Sequence, residues 1–395
     1  MKIRKFLSAL LAASLVFSLS SPASAMEATE SAISSDIQTQ MIRILASTEA
    51  EKENFGLTNL NFSAVCIGSE IPAYKVSGDS LIPADIRLIP ITDGSNLISF
   101  FYIANDETGS PIVQLSNELI APLQNYVNGE PFSIIYDDTG AYVCVDNELH
   151  LLGLKEQSIF SSEDTLRHNS LFPNATPVES ASIAPLAESS LVSTLNEESF
   201  TVLESGSYTA TTNTLNVTSF MENLPAPASA NATSKYLAVE KISQPSGTSI
   251  CWAIAITSIA NFIWDGTWNY TDIVQMFAAG VDKGMYTEDV IYNFNYYFGA
   301  DWGYNYTQTL DPDDILSYLL DDYPLFGDFT RSGGAHAVVI RGVSTTLNTF
   351  SVMNPTPSTT SYTSGTISST NKLTFVSGYS GDTYTLRSYG FPMLP

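Results

Sequence analysis

A run without any charged side chain, residues 250–263, limits the fold of this chain more than any other feature. Isoleucine and alanine occupy most of its positions, so a helix formed here would be apolar on nearly every side. Such a helix has to lie in the centre of a domain. It is too short to span a bilayer, which needs about 20 residues. The run therefore predicts a buried central helix, with Cys251 at its N-terminal end.

Few residues are available for nucleophilic or metal chemistry. The chain has 3 cysteines and 3 histidines, which leaves almost no room for a cysteine–histidine zinc site. Backbone N–H groups and the helix dipole at a helix start favour a thiolate, so the position of Cys251 suits a nucleophile. The alternative is a buried cysteine without chemistry. We predict no cofactor and no metal site.

The first 25 residues have the three parts of an export signal in the right order. Three basic residues precede a short apolar run at 6–19, and small residues follow at 23–25. This pattern predicts cleavage after Ala25. The apolar run is too short for a membrane anchor. We therefore expect a secreted, extracellular protein without a membrane span once the signal (1–25) is removed.

The net charge of the chain argues against nucleic acid and anionic lipid as partners, and the acidic residues are unevenly distributed between its two halves. The chain has 16 Lys and Arg against 41 Asp and Glu, a formal net charge of −25. Such a field repels phosphate backbones and anionic lipid, so we expect no nucleic-acid partner. Most of the acidic residues precede residue 234. The two halves therefore resemble separate modules.

Strand-like patterns dominate the first module. Alternating or β-branched runs, separated by turn clusters, lie at 61–67, 81–91, 97–104, 111–115, 132–136 and 141–145. A helix at 117–126 would complete a small β-rich α+β domain over residues 26–154. Cys66 and Cys144 both lie in strand-like runs. The sequence permits a disulfide between them, and two buried free thiols are equally compatible with it.

A connector at 155–235 separates this domain from the rest. It is rich in Ser, Thr, Ala, Pro, Asn and Glu, and its segments at 174–194 and 226–234 lack aromatic residues. This composition predicts a mostly irregular, protease-accessible segment. A strand or two could form at 201–203 and 207–217. If the preceding domain is a pro-domain, the expected processing site lies at about 170–234, where the backbone is accessible.

The last domain, residues 236–395, begins with the central helix and ends in strands. Cap residues predict three further helices, which follow Thr271, Thr287 and Asp311. Strand patterns then occur at 325–330, 335–342, 349–353, 372–376 and 384–391. A helical half followed by a β half is an α+β arrangement.

Four residues of this domain form a candidate catalytic set. His336 begins one predicted strand, and Asn354 follows the end of the next. A hairpin can bring two such positions side by side. With Cys251 they suit acyl transfer, in which the thiol attacks a carbonyl, the imidazole relays the proton and the amide orients the imidazole. Gln244, across a turn from Cys251, could offer its amide to the developing oxyanion.

The sequence around these residues resembles the papain-like cysteine peptidases. The shared features are Gln244, the Cys-Trp-Ala motif at Cys251, Gly-Ala-His-Ala-Val-Val around His336 and Val-Met-Asn-Pro around Asn354. They are most similar to the bacterial secreted branch, which includes staphopain- and streptopain-like enzymes and the related peptidase domains of bacteriocin exporters. Plant-type members carry Ser-Trp after the asparagine, whereas Pro355 stands here, so that shielding tryptophan is missing.

The resemblance covers residues 236–395 and implies a papain-like two-lobe fold, a helical lobe plus an antiparallel β lobe. It implies Cys251 as the nucleophile on the helical lobe. On the β lobe it implies His336 as the general base and Asn354 as the residue that orients it. Gln244 would be the oxyanion donor.

We therefore expect a secreted cysteine endopeptidase, made as a zymogen, that acts on protein or peptide substrates. Papain-like enzymes commonly carry an N-terminal pro-segment that blocks the cleft, so the resemblance implies that residues 26–154 are a pro-domain acting in cis. A substrate- or surface-binding module is the alternative for this domain. Two other functions are compatible with the chain: a non-catalytic secreted adhesion or binding protein with a peptidase-like domain, and a thiol transpeptidase or transglutaminase-type acyltransferase.

Overall fold

A computed structural model describes residues 33–155, 213–222 and 233–393, except 79, 94–95, 107, 127–131, 147, 332–333 and 357–361. The predicted export signal at 1–25 lies outside the described residues. So does most of the predicted connector, including the possible strand at 201–203 and most of the region expected to contain a processing site. The description below concerns the unit from Ser35 to Pro395.

Seven helices occur in the described ranges. Their bounds are Ser35–Glu49 (α1), Ile120–Leu123 (α2), Val217–Glu222 (α3), Cys251–Trp264 (α4), Tyr270–Ala278 (α5), Thr287–Phe298 (α6) and Pro312–Leu320 (α7). Helix α4 is the predicted central helix, and its first ten residues are all buried. Asp311 caps α7 as predicted, because its side chain accepts the N–H of Asp313. In the part of the chain that the structure describes, no helix is both long and apolar enough to cross a membrane.

The strands form two sheets. In chain order they are Ala64–Ile67 (β1), Ala73–Ser77 (β2), Ser80–Pro83 (β3), Arg87–Asp93 (β4), Asn96–Asn105 (β5), Pro111–Ser116 (β6), Phe132–Tyr136 (β7), Gly140–Val145 (β8), Glu148–Leu154 (β9), Asn213–Asn216 (β10), Ser234–Tyr236 (β11), Trp302–Tyr306 (β12), Leu325–Arg331 (β13), Gly334–Ser344 (β14), Thr349–Met353 (β15), Tyr362–Thr366 (β16), Thr374–Val376 (β17) and Thr383–Pro392 (β18). The large sheet is antiparallel, with the order β10-β1-β4-β5-β6-β16-β15-β14-β13-β18-β12, and β11 and β17 pair with β14 and β18. The small sheet, β3-β2-β7-β8-β9, is mixed because β2 and β7 are parallel.

The large sheet contains strands from both predicted domains. Strand β6 belongs to the N-terminal part of the chain (residues 35–155), and β16 belongs to the C-terminal part (residues 236–393). The two strands pair, and Ser116 lies opposite Thr363. Beside this junction the side chain of Gln114 binds both the N–H and the carbonyl oxygen of Val376. The domain boundaries at 154 and 235 stay predictions. The strand pairing nevertheless shows that the two parts share a single hydrogen-bonded sheet.

The chain is an α+β protein, as the sequence predicts, but some element boundaries differ. The predicted strand at 81–91 is two strands, β3 in the small sheet and β4 in the large sheet. The break lies just after Pro83, the last residue of β3, where the sequence does not alternate. The predicted helix at 117–126 shortens to α2. The sequence predicts a possible strand at 207–217. Strand β10 lies within this region, and helix α3 begins at its last residue and continues beyond it.

All three cysteines are free thiols. Cys66 lies in β1 of the large sheet, and Cys144 lies in β8 of the small sheet. The sequence permitted either a disulfide between these two cysteines or two buried free thiols. In the structure both are free thiols. Cys251 and Cys144 are buried, and Cys66 is partly exposed.

Candidate active site

Cys251 is the first residue of α4, and its sulfur lies against the beginning of β14. The backbone N–H of Ala337 donates to Sγ over 3.4 Å. This N–H is available because β15 ends at Met353, opposite Val339. The residues of β14 that precede Val339 therefore extend beyond β15; one edge of this segment pairs with β13, and the other meets the start of α4. The contact places the nucleophile candidate beside the residue that follows His336.

His336 and Asn354 are brought together by the β14–β15 hairpin. The imidazole Nε2 lies 2.6 Å from the amide Oδ1, although 18 positions separate the two residues in the chain. Both side chains are buried, with exposed fractions of 1% and 0%. The structure thus joins two of the four predicted site residues directly, and it places Cys251 against the same strand end.

A carboxylate that the sequence did not indicate contacts Asn354 from its other side. Glu118 Oε1 accepts the amide Nδ2 of Asn354 over 2.6 Å, and Oε2 accepts the backbone N–H of Gly378 over 2.6 Å. Because a carboxylate only accepts, Nδ2 of Asn354 faces Glu118 and Oδ1 faces His336. The imidazole then donates from Nε2, and in the neutral ring Nδ1 is the proton acceptor.

Cys251 and His336 line one narrow cleft. Its described lining consists of Cys251, Trp252, Gly284, Met285, Phe326, Asp328, Ala335, His336 and Ala337. All of these residues belong to the C-terminal part of the chain. A nucleophile candidate and a base candidate therefore share the wall of a cleft, as acyl transfer requires.

Asp328 is the carboxylate in the wall of this cleft, and it is bound by an arginine and two hydroxyl groups. Arg387 forms an ion pair with it, and the hydroxyls of Thr287 and Ser388 each donate to Oδ2 over 3.1 Å. Burial alone would lower the pKa of Arg387, but the charge of Asp328 and the hydrogen bonds to it outweigh burial and raise that pKa. Arg387 thus stays charged, and its ion pair with Asp328 joins β18 to β13 beside the cleft.

Two aromatic rings cover the imidazole of His336. Phe375 and Tyr384 stack on each other at 5.1 Å, and both meet His336 edge to face, at 6.1 and 5.9 Å between ring centroids. They come from β17 and β18, and both rings lie against the buried imidazole. The sequence showed both as ordinary strand aromatics and gave no sign of this contact.

If the chain has the peptidase activity that the resemblance implies, Phe375→Leu lowers kcat without changing KM, because the imidazole loses one of the rings that hold its orientation. An edge-to-face ring contact contributes about 0.5–1.5 kcal/mol, so the expected loss is about 2- to 10-fold. Cleavage of a fluorogenic peptide measures both constants. Phe294→Leu is the matched control, since Phe294 is equally buried but packs among the aromatic residues of α6 and its neighbours. Equal kcat values for the two variants would contradict the shielding role.

Gln244 lies in the turn before α4, and its side-chain amide forms a hydrogen bond within that turn. Nε2 donates to the backbone oxygen of Thr248 over 2.5 Å. Gln244 is not among the described residues that line the cleft with Cys251. One hydrogen of the amide is therefore used within the turn, and a role of the other in an oxyanion site stays a prediction.

The described residues contain no group of three or more His, Cys, Asp or Glu side chains arranged to hold a metal ion. Comparison with known proteins gives no family: no family model matches the chain, and no curated protein matches its sequence. The resemblance to papain-like enzymes therefore depends on the motifs and on the geometry of Cys251, His336 and Asn354.

Proposed function

We propose that this protein is a cysteine endopeptidase with a papain-like site. The observation that carries the proposal is the buried hydrogen bond between His336 Nε2 and Asn354 Oδ1, in a cleft that also contains Cys251. A histidine whose Nε2 is held by an amide oxygen keeps its other nitrogen for a proton from the nucleophile. An inert buried cysteine would need neither of these partners.

The arrangement supports a two-step acyl transfer. Nδ1 of His336 takes the proton of the Cys251 thiol, and the sulfur attacks the carbonyl carbon of the substrate peptide bond. The imidazolium then gives that proton to the departing amine, which leaves a thioester on Cys251. In the second step His336 takes a proton from water as the oxygen attacks the thioester carbon. The C–S bond breaks, the acid is released, and the imidazolium returns its proton to the Cys251 sulfur. Asn354 holds the ring in both steps.

The finer fold assignment is part of the same proposal. In a papain-like arrangement the nucleophile begins a central helix, and the base and its orienting residue lie on an antiparallel sheet. Helix α4 and the β14–β15 hairpin have these positions. That the enzyme is secreted and made as a zymogen stays a prediction from the sequence. None of the described residues that line the cleft belongs to the N-terminal part.

The proposal is tested with purified residues 26–395 and an unstructured protein substrate under reducing conditions. We expect internal cleavage, with products that gain one water when their masses are measured. A parallel sample contains a high concentration of a simple primary amine, which separates hydrolysis from amine transfer. A third sample is cut briefly with trypsin in the connector, and the trypsin is inhibited before the substrate is added, so that a need for processing is also covered. His336→Gln is the inactive control. Absence of cleavage in all samples, or products that carry the amine, would contradict an endopeptidase.

A further inference from the structure

The side chain of Glu118 connects the N-terminal part of the chain to the candidate active site, because it accepts a hydrogen bond from Asn354. Glu118 follows β6 closely and is fully buried. We propose that Glu118 is a positioning residue for His336, acting through Asn354, and that residues 35–155 therefore remain in the working enzyme instead of leaving as a pro-domain. This proposal rests on the proposed function, and the experiment below can tell the two apart.

An asparagine amide has two ends of nearly equal size, and only its neighbours decide which end faces the histidine. With Oδ1 toward His336, the ring must carry its proton on Nε2. With the amide turned over, Nδ2 would face the ring, and the proton would move to Nδ1, where it blocks acceptance of the thiol proton. The carboxylate of Glu118 selects the first arrangement, because Oδ1 turned toward it would bring two acceptors to 2.6 Å.

Glu118 is itself held on several sides. Oε2 accepts the N–H of Gly378 over 2.6 Å, and its backbone oxygen accepts the hydroxyl of Tyr379 over 3.0 Å. A Cβ at Gly378 would lie 2.8 Å from Oε2, so this approach requires glycine. Burial and the charge of Glu118 raise the pKa of the neighbouring Tyr102 well above its usual value, which keeps that hydroxyl neutral.

The surroundings of Glu118 explain why the N-terminal part would not be released. Strand β6 is hydrogen-bonded to β16 within the large sheet. The buried carboxylate of Glu51 in the N-terminal part pairs with Arg341 of β14. Asp382 forms ion pairs with Lys155 over 3.1 Å and with Lys75 over 3.8 Å. A cut in the connector would leave all of these contacts in place.

Glu118→Gln tests the positioning role with almost no change of shape. The backbone N–H of Gly378 cannot turn away, so the amide oxygen introduced at position 118 has to face it. The new NH₂ then faces Asn354, which turns over to present Oδ1, and His336 meets Nδ2. We expect the His336 proton to move to Nδ1 and kcat to fall about 10- to 100-fold, with little change in KM.

A swap of the two partners is the matched rescue. Adding Asn354→Asp to Glu118→Gln places a carboxylate at position 354, which accepts from the new amide on one side and from His336 Nε2 on the other. The proton returns to Nε2, so we expect kcat at least tenfold above Glu118→Gln. Asn354→Asp alone sets two carboxylates against each other and is expected to be less active than the swap.

Two readouts keep this proposal separate from the proposed function. One is kcat for peptide cleavage, and the other is the ¹⁵N chemical shifts of the His336 ring, which report the protonated nitrogen without any need for activity. The chain has 3 histidines, so His336→Gln assigns the signals. If the wild type cleaves nothing, the proposed function fails, and the ring shifts of Glu118→Gln and of the swap still decide the role of Glu118. Glu51→Gln is the control, since it weakens the N-terminal part but should leave the ring shifts unchanged.

The proposal is overturned if Glu118→Gln keeps both the wild-type ring shifts and the wild-type kcat. If Glu118→Gln does not fold, the swap decides: a folded protein with Nε2 protonated supports the role, and a swap that also fails overturns it. For retention of the N-terminal part, protein nicked in the connector is passed over a sizing column without denaturant. We expect the fragments to elute together and remain active, and their separation would overturn retention.

Discussion

Replacing Cys251 by alanine is expected to lower kcat for peptide cleavage by about 10⁴-fold or more, because every later step depends on the thioester. The substitution removes the sulfur and the hydrogen bond that it accepts from Ala337, but the backbone of α4, whose first ten residues are buried, stays in place. We therefore expect the variant to fold normally and to keep its affinity for substrate. Initial rates with a fluorogenic peptide, together with a thermal unfolding curve, check both statements.

The chain supplies its own controls for this substitution. Cys66 and Cys144 are also free thiols, but they lie in β1 and β8, away from the cleft lining. The double variant Cys66→Ala, Cys144→Ala should therefore keep the wild-type kcat. Activity in Cys251→Ala above about a tenth of the wild type would contradict the mechanism. Loss of activity only in the control variant would point to a different thiol.

Glu51→Ala is expected to have the largest effect on stability, a loss of about 3–5 kcal/mol in the free energy of unfolding. Glu51 and Arg341 form an ion pair in which both side chains are almost completely buried. Burial raises the pKa of Glu51, and Arg341 opposes this effect. Removing the carboxylate leaves the guanidinium buried beside the carbonyl oxygen of Leu237, the hydroxyl of Ser351 and the ring of Tyr362, none of which carries a negative charge.

An exposed ion pair gives the comparison for this prediction. Arg87 and Glu70 are 2.6 Å apart, but their side chains are 26% and 42% exposed. Glu70→Ala should therefore cost less than about 1 kcal/mol. Urea unfolding of both variants measures the difference. A second variant, Glu51→Met with Arg341→Met, removes both charges and should recover part of the stability. Equal losses in Glu51→Ala and Glu70→Ala would contradict the account of the buried pair.

Local patterns were enough to indicate part of the site. Cys251 was recognisable because an uncharged helix begins there, and His336 and Asn354 because a short hairpin joins their strands. Glu118 was not recognisable, because 236 positions separate it from Asn354. Its contact exists only because β6 pairs with β16, and strand order between distant segments leaves no mark in hydrophobic alternation.

The same distinction explains the fold. The α+β class and helix α7, with its Asp311 cap, follow from neighbouring residues and were predicted. The single large sheet did not follow, because composition and charge change sharply between the two parts of the chain and suggested separate modules. Pairing across that change depends on buried contacts such as Gln114 with Val376, which no local pattern records.

The measurement that tests the central claim most directly is covalent labelling of the thiol. Residues 26–395 are incubated under reducing conditions with an epoxide directed at the active sites of cysteine peptidases, and intact mass and peptide mapping follow. The account predicts one label per molecule, on Cys251, which is lost in His336→Gln, while Cys66 and Cys144 stay unmodified. A Cys251 that does not react in the wild type, or that reacts equally well in His336→Gln, would contradict a thiol activated by His336.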